Sequence, residues 1–320
     1  MATEGGIRRS LVVCGIIAFF NEKDSLGPLV RELYKTFEGR PERLRLVLVD
    51  DGSVDGSYEV ATALQAEFSG IAVLRFSRNF GHHTALIAGV KHAQGDLFFL
   101  MDSDFQDDPS VVPRLIDSLA ANVEIVYAIR NFRVENWRRR MAANLYWWLV
   151  NAATDYHCEP HQAVMRVFTA RARNALLLVD DYFPFLAGIF AWTGYSYTKV
   201  DVPHRSRRYG SSKYTLAKLL SSTLTSLLSF SHRPLRLLVY AGFAISALSL
   251  LSGIALIVSY LLDFRYFPGW PSVFVGILFS LGIQIGALGL VGEYVGRVFR
   301  QTSGRPKYVV REFQQWADGD

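Results

Sequence analysis

Two long stretches without a charged residue, both near the C-terminal end, constrain the fold of this chain more than any other feature. No Asp, Glu, Lys or Arg occurs from Leu237 to Leu262, or from Pro271 to Gly292. A helix needs about 20 apolar residues to cross the roughly 30 Å hydrocarbon core of a bilayer, so each stretch is long enough. The sequence therefore predicts two transmembrane helices, at about 237–262 and 271–294, which together form a hairpin.

Basic residues lie next to both predicted spans on the same side of the membrane. The loop between the spans contains only Asp263 and Arg265 as charged residues. By the positive-inside rule, both chain termini are expected in the cytoplasm. The net charge of +5 collects where anionic lipid would meet it, which predicts a membrane partner and no nucleic-acid partner. The basic residues before the first span are Arg233 and Arg236, and those after the second are Arg297, Arg300, Arg305, Lys307 and Arg311.

The first part of the chain alternates apolar runs of strand length with amphipathic runs of helix length. Such alternation predicts an α/β fold, with a mostly parallel, Rossmann-like sheet that is covered by helices on both faces. The predicted strands are Val12–Phe20, Leu44–Val49, Ile71–Phe76, Asp96–Met101 and Glu124–Ile129. The predicted helices are Ser25–Phe37, Gly56–Ala66, His83–Ala93 and Val111–Ala121.

Two further predicted helices carry both apolar and basic residues. Asn136–Thr154 is rich in Trp and Tyr, and it could lie in the membrane interface or, equally, pack in the core with a basic cap. Ser212–Ser229 leads into the first span. The resulting division of the chain is a cytosolic head (1–211), a juxtamembrane amphipathic helix (212–234), the two spans with their loop (235–296) and a cytosolic tail (297–320).

Acidic and polar residues follow three of the predicted strands. They are Asn21-Glu22, Asp50-Asp51 and Asp102-Ser103-Asp104. In parallel sheets ligands bind beyond the carboxyl ends of the strands, so these groups are expected at one edge. A D-x-D pair can also be a structural cap, but its place directly after an apolar strand favours a site.

The chemistry of these groups suits a nucleoside diphosphate. Asp102, Asp104 and Gln106 offer hard oxygen ligands at alternate positions, which Mg²⁺ or Mn²⁺ prefers, and such an ion would hold a diphosphate. Asp50 and Asp51 could accept hydrogens from the base and ribose. The chain has neither G-x-x-x-x-G-K-[ST] nor G-x-G-x-x-G, which argues against an ATPase or a dinucleotide-dependent dehydrogenase.

Basic residues in two places could complete an anion site. Arg130 and Arg133 follow the fifth strand, and the segment 207–214 contains Arg207, Ser212 and Lys213. Guanidinium, ammonium and hydroxyl donors suit a phosphate, and the closeness of 207–214 to the membrane suggests a lipid phosphate. The alternative for this segment is nonspecific contact with lipid headgroups.

Several motifs in this order resemble family 2 glycosyltransferases of the dolichol-phosphate mannose synthase type. The nearest similarity is to bacterial polyprenyl-phosphate glycosyltransferases, such as bactoprenol glucosyltransferases, with two C-terminal spans. The motifs are Phe20-Asn21-Glu22, the segments 49–55 (VDDGSVD), 77–81 (SRNFG), 101–109 (MDSDFQDDP) and 210–214 (GSSKY), and the tail 289–297 with 305–308.

The resemblance implies a GT-A fold and transfer of a sugar from a UDP- or GDP-linked donor to polyprenyl (undecaprenyl) phosphate. It also implies a bacterial inner membrane location, a divalent Mg²⁺ or Mn²⁺, a role in cell-envelope glycans and a homo-oligomer. The implied nucleotide-binding residues are Asn21, Glu22, Asp50, Asp51, Ser53 and Asp102, and the implied metal ligands are Asp102, Asp104 and Gln106. Phosphates would be bound by Arg130, Arg133, Arg207, Ser212 and Lys213, and the sugar by His161 and Gln162. Asp102, Asp104, Arg207 and Lys213 would be the catalytic residues.

The chain departs from the family pattern at two places. His82-His83 stands where relatives commonly have Lys-Glu, and the segment 158–166 lacks an expected carboxylate that Glu159 or Asp155 could replace. Two other functions therefore remain open. One is an inactive homologue that acts as a nucleotide-sugar sensor or scaffold. The other is a processive glycan synthase, against which stand the small number of spans and the missing Q-x-x-R-W motif.

Overall fold

The head is built around one eight-stranded sheet. The computed structural model describes residues 11–131, 137–154, 156–182, 184–203, 233–262 and 269–316. Neighbouring strands are parallel except where β6 or β8 takes part, and the order is β7-β5-β6-β4-β1-β2-β3-β8. The strands are β1 Val12–Phe19, β2 Arg43–Asp50, β3 Ile71–Phe76, β4 Leu97–Asp102, β5 Ile125–Asn131, β6 Gln162–Thr169, β7 Tyr197–Pro203 and β8 Val310–Gln314.

Helices cover both faces of this sheet. Helices α1, α2 and α4 pack on one face, while α3, α6 and α7 pack on the other. The strands β1 to β4 are apolar at successive positions because a parallel sheet between two helical layers buries both of its faces. The helices are α1 Lys23–Phe37, α2 Ser57–Glu67, α3 His82–His92, α4 Val112–Asp117, α5 Trp137–Ala153, α6 Ala170–Leu176, α7 Leu186–Trp192, α8 Arg233–Leu261 and α9 Trp270–Thr302.

The predicted α/β alternation of the first five strands is confirmed, and most boundaries agree within two residues. The predicted helix Val111–Ala121 is shorter than expected, because a 3₁₀ turn (Pro109–Val111) precedes α4 and the helix ends at Asp117. The sequence did not predict β6, β7, β8, α6 or α7. Strand β8 lies in the predicted cytosolic tail, yet it pairs antiparallel with β3 at the edge of the head sheet.

Helix α5 is amphipathic in the structure. Val150 is buried in a small apolar cluster with Cys158 and Phe185. On the other side, Met141, Leu145 and Trp148 are exposed at a spacing that places them on one helix face. One face of α5 therefore packs against the head, and the other presents an apolar stripe.

Helices α8 and α9 follow the head. Among the described residues, one helical stretch is long and apolar enough to cross a membrane, Phe279–Thr302 in α9. This stretch extends beyond the predicted span 271–294 and includes Glu293, which pairs with Arg297 at 3.2 Å. The predicted span 237–262 falls in α8, but the pair of spans is not established by this one stretch. The predicted helix Ser212–Ser229 lies outside the described residues.

Candidate active site

The loops that follow β1, β2, β4 and β5 meet at one edge of the sheet. Strand register places Asp50 opposite Phe19 and Asp102 opposite Ala18, so the two aspartates flank the end of β1. Since neighbouring strands are about 4.8 Å apart, these two backbone positions are about 10 Å apart. Arg130 lies near the end of β5, which runs in the same direction as β4 because both are antiparallel to β6. The sequence correctly predicted that these polar groups share one edge.

The loops after β1 and β2 are tied together by the side chains of Asn21 and Ser53. The Asn21 N–H donates to Ser53 Oγ at 2.9 Å, and the Val54 N–H donates to Asn21 Oδ1 at 3.0 Å. Asn21 has a left-handed backbone, with φ of 55°. The Glu22 N–H in turn donates to Ser57 Oγ at 2.8 Å. The two loops therefore form one connected unit.

Asp50, the last residue of β2, is buried beneath the two connected loops. Its carboxylate is buried and accepts the Ser53 N–H at 2.8 Å. Its other oxygen, Oδ2, lies 3.4 Å from Arg75 Nε. Burial raises the pKa of Asp50, although its bonds with Ser53 and the charge of Arg75 oppose this shift. The carboxylate holds the turn that contains Ser53, and its predicted contact with a nucleotide stays a prediction.

Asp51 connects the loop after β2 to the loop after β3. It accepts the Phe80 N–H at 2.7 Å and the Gly81 N–H at 3.0 Å. Burial raises the pKa of Asp51 to about 6, and the two backbone donors limit that rise. Asp51 therefore fixes the start of α3, and its contact with a base or ribose also stays a prediction.

Asp102 lies between a histidine and an arginine. His82 Nε2 is 2.9 Å from Asp102 Oδ1, and Arg130 Nη2 is 4.0 Å from Asp102 Oδ2. Burial alone would raise the pKa of Asp102, but the bond to His82 and the nearby positive charges hold it below its usual range. Burial would likewise lower the pKa of His82, but the bond to Asp102 and the charges of Asp102, Asp51 and Asp104 raise it. The charges of Asp51, Asp102 and Asp104 therefore all act on one imidazole.

Arg130 is held by a second acidic residue. Its Nη2 lies 3.0 Å from Oδ1 of Asp107, whose side chain is buried. Burial raises the pKa of Asp107 to about 6 against the opposing charge of Arg130. The Arg130 N–H donates to the His161 carbonyl at 3.1 Å, which joins the end of β5 to the residue before β6.

The side chains at this edge include carboxylates of the kind that bind a divalent cation together with a substrate. Asp104 Oδ1 accepts the Gln106 N–H at 3.1 Å, and the buried Phe105 between them has φ of 60°, so the loop turns sharply here. No group of three His, Cys, Asp or Glu among the described residues is placed to hold a metal. Mg²⁺ is usually held by one or two carboxylates together with substrate phosphates, and Asp102 and Asp104 could provide those carboxylates. The side chain of Gln106 stays a predicted ligand.

The predicted sugar-binding residues lie near Arg130. His161 has φ of 58° and precedes β6, and Gln162 Nε2 donates to the Glu159 carbonyl at 3.0 Å. The Glu159 carboxylate pairs with Lys199 at 2.8 Å and accepts the Tyr197 hydroxyl at 3.1 Å, so β7 engages it. The predicted residues Asp155, Arg133, Arg207, Ser212 and Lys213 lie outside the described residues.

Sequence reasoning assigned no role to His82, Asp107 or Arg166. Arg166 is buried in β6, where it donates to the Ala163 and Val164 carbonyls. Burial lowers its pKa to about 10. A charged residue inside an apolar strand was a usable signal for Arg166, and the run DSDFQDD was one for Asp107. The change from the family pattern at His82 was visible, but its contact with Asp102 was not.

Comparison with known proteins agrees with this fold. Residues 14–178 match the family model for glycosyl transferase family 2. A bactoprenol glucosyl transferase from Shigella phage SfV is 31% identical over 301 residues, which cover 94% of this chain and 98% of the relative. An undecaprenyl-phosphate 4-deoxy-4-formamido-L-arabinose transferase from Edwardsiella ictaluri is 30% identical over 305 residues, 92% of each chain.

Solved structures share the architecture at low sequence identity. Mannosyl-3-phosphoglycerate synthase from Rubrobacter xylanophilus has a TM-score of 0.51 and 16% identity, over 68% of this chain and 72% of that one. Glucosyl-3-phosphoglycerate synthase from Mycobacterium tuberculosis, in complex with Mn²⁺, UDP and phosphoglyceric acid, has a TM-score of 0.50 and 16% identity, over 68% and 77%.

These findings define the class of protein first. The head is an α/β domain with the GT-A fold and a mostly parallel sheet. The chain belongs to glycosyltransferase family 2, and it is an enzyme that transfers a sugar.

Proposed function

We propose that this enzyme transfers a sugar from a UDP- or GDP-linked donor to a polyprenyl phosphate at the cytoplasmic face of a bacterial inner membrane. The observation that carries the proposal is the placement of Asp102 between His82 and Arg130, beside the loops of Asn21 and Ser53. Carboxylates for a cation and a guanidinium for a phosphate thus lie together at one edge. Relatives named as bactoprenol and undecaprenyl-phosphate sugar transferases support the choice of acceptor.

The donor is expected to bind across the ends of β1, β2 and β4. In this arrangement the loops held by Asn21, Ser53 and Asp51 would contact the nucleoside, and Asp102 and Asp104 would face the diphosphate. Mg²⁺ or Mn²⁺, when bound, would neutralise negative charge that develops on the leaving diphosphate. A solved structure of the same fold that contains Mn²⁺ and UDP supports this choice of ion and donor.

The acceptor is expected to approach from the membrane. The exposed apolar stripe of α5 (Met141, Leu145 and Trp148) and the apolar stretch of α9 support a head that sits on the bilayer. We propose that α8 provides a second span and that Arg207, Ser212 and Lys213 bind the lipid phosphate. Arg130 would then lie on the donor side of the reacting centre, where a fixed guanidinium stabilises phosphate charge.

The proposed reaction does not need a strong general base. A phosphate monoester is an anion near neutral pH and can attack the anomeric carbon directly, so the enzyme mainly has to bring two anions together. Asp107 holds the guanidinium of Arg130 in place, and His82 holds Asp102. In-line attack would invert the anomeric configuration.

A transfer assay tests the proposal. Purified full-length protein is incubated with Mn²⁺, undecaprenyl phosphate and a panel of radiolabelled UDP- and GDP-sugars, and label is followed into the organic phase. We expect transfer with one donor, and Asp104→Asn should reduce it by about 10²-fold or more, since a neutral amide replaces a charged ligand of the ion.

A matched control separates this loss from general damage. Asp201→Asn changes an exposed carboxylate on β7 and should transfer at the wild-type rate. Nucleotide binding without transfer from any donor would favour a sensor, and polymeric product would favour a processive synthase. Wild-type activity in Asp104→Asn would show that this carboxylate does not serve the reaction.

A further inference from the structure

The segment that follows helix α9 is part of the head sheet. Residues 303–309 lead from the end of α9 to β8, in which Glu312 lies opposite Arg75 of β3. The Ser77 N–H donates to the Val309 carbonyl at 2.9 Å, and the ring of Tyr308 stacks on Phe76 with centroids 4.8 Å apart. Backbone bonds and ring stacking therefore attach this segment along the edge of β3.

The same segment is also attached to the head at the end of α9. The Tyr182 N–H donates to Gln301 Oε1 at 2.8 Å, and Gln301 Nε2 donates to the Asp180 carbonyl. Lys307 Nζ lies 2.5 Å from Asp180 Oδ1. The chain is thus docked on the head both where the apolar helix ends and where β8 begins.

Glu312 contacts two side chains that lie between β8 and the interior of the site. The Tyr58 hydroxyl donates to Glu312 Oε2 at 2.7 Å, and Arg75 Nη1 lies 3.5 Å from Glu312 Oε1. The Arg75 guanidinium also lies over the ring of Tyr58, with Cζ 4.2 Å from the ring centroid. Arg75 is thus held by a carboxylate on one side and by an aromatic face on another.

The other side of Arg75 faces the loop after β2. Arg75 Nε is 3.4 Å from Asp50 Oδ2, which is buried and has no hydrogen-bond partner, so this guanidinium is the nearest compensating charge that the structure gives it. A buried carboxylate that loses such compensation is strongly destabilised. Asp50 Oδ1 accepts the Ser53 N–H, and Ser53 Oγ accepts the Asn21 N–H. A continuous set of contacts therefore runs from Glu312 to both loops.

We propose that Glu312 and Arg75 are positioning residues for residues 50–54. Strand β8 would thereby help to hold the donor-binding loop in place. The proposal rests on the proposed function, in which this loop contacts the nucleoside. It implies that donor affinity depends on the docking of the segment that follows the membrane helix. The position of the loop after β2 then depends on the segment that follows α9 as well as on contacts within the head.

The test uses the full-length protein in detergent and the variant Glu312→Gln. Glutamine keeps the size of the side chain and the backbone pairing of β8 but removes the charge that orients Arg75. We expect the dissociation constant for UDP with Mn²⁺ to rise by about three- to tenfold, as when one member of a shared ion-pair network is removed. The KM for the donor should rise while kcat at saturating donor stays the same. Hydrogen exchange of residues 51–54 should become faster.

Val310→Thr is the matched control, since it alters an exposed side chain of the same strand and should leave every readout at the wild-type value. If Glu312→Gln does not fold, Tyr58→Phe removes one bond to Glu312 and should give a smaller change of the same kind. UDP affinity and exchange equal to those of Val310→Thr would overturn the proposal. If the wild-type protein binds neither UDP nor GDP, the proposed function is wrong, and the exchange of residues 51–54 decides the positioning role alone.

Discussion

His82 Nε2 lies 2.9 Å from Asp102 Oδ1, so the first turn of α3 is joined to the last residue of β4. The contact leaves the other carboxylate oxygen of Asp102 on the side of Arg130, 4.0 Å from its Nη2. The raised pKa of His82 favours the charged imidazolium, and its attraction to the carboxylate orients both side chains. His82 therefore orients the aspartate that is expected to meet the diphosphate.

The first prediction concerns this contact. His82→Leu removes the imidazole that lies against Asp102 and should weaken Mn²⁺ binding in the presence of UDP by about tenfold, the lower end of the range for residues that orient a metal-binding carboxylate. His82→Gln carries an N–H donor on a side chain of similar reach, so it should recover much of the affinity. Titration of Mn²⁺ followed by electron paramagnetic resonance measures both. Equal Mn²⁺ affinity in His82→Leu and wild type would mean that Asp102 does not need this partner.

The second prediction concerns the Arg130–Asp107 pair. Arg130→Ala leaves the buried Asp107 without its 3.0 Å partner and should lower the free energy of unfolding by about 2–4 kcal/mol. Arg130→Lys keeps the charge but loses the planar guanidinium, so it should be less destabilised while transfer still falls by about tenfold or more. Urea unfolding and the transfer assay separate the two effects. Full transfer in Arg130→Lys would show that a point charge suffices at this position.

Much of the fold could be predicted because the first four strands are mostly apolar runs of strand length, each followed by turn residues and a helix. The shared position of Asn21, Asp50 and Asp102 followed from the predicted parallel sheet. Strand β8 could not be predicted, since the polar run VREFQ becomes a strand only when it covers the edge of β3. Strand β6 was obscured by Arg166, whose charge interrupts the apolar pattern that indicates a strand.

Burial of the predicted site residues also could not be read from the sequence. Asp50 and Asp51 are adjacent in a loop motif, which suggested two carboxylates open to a ligand. In the structure one is paired with Arg75 and the other accepts backbone N–H groups. Whether a loop carboxylate points inward depends on donors from distant segments, such as Phe80 and Arg75, which no local pattern identifies.

The third prediction follows from the pKa of Asp51, which is about 6 in the folded protein against an ordinary value of 3.8. The folded state binds this proton more tightly than the unfolded chain, so the stability contributed by Asp51 decreases as pH rises from about 4 to about 6. Asp51→Asn removes this dependence. Relative to wild type, its free energy of unfolding should therefore increase by about 1–3 kcal/mol between about pH 4.5 and about pH 7.5. Urea unfolding at both pH values measures this, with Asp201→Asn as the control for buffer effects. A difference that does not change with pH contradicts the expectation.

The fourth prediction concerns Gly52, between Asp51 and Ser53. Its φ is +78°, and a Cβ there would lie 2.5 Å from the backbone carbon of Arg78. Gly52→Ala should therefore combine backbone strain with a clash against backbone that cannot move aside, and lower the free energy of unfolding by about 2–4 kcal/mol. Gly39 is a matched control, because its φ is +77° but nothing lies within 4 Å of its Cβ position. Gly39→Ala should lower the free energy of unfolding only through backbone strain, by about 1 kcal/mol.

Because Gly52 belongs to the loop that Asp50 and Asp51 hold, Gly52→Ala should also weaken UDP binding, whereas Gly39→Ala should not. Equal losses of stability in the two variants would mean that the loops after β2 and β3 can separate freely, and the close contact between them would then have no part in shaping the donor site.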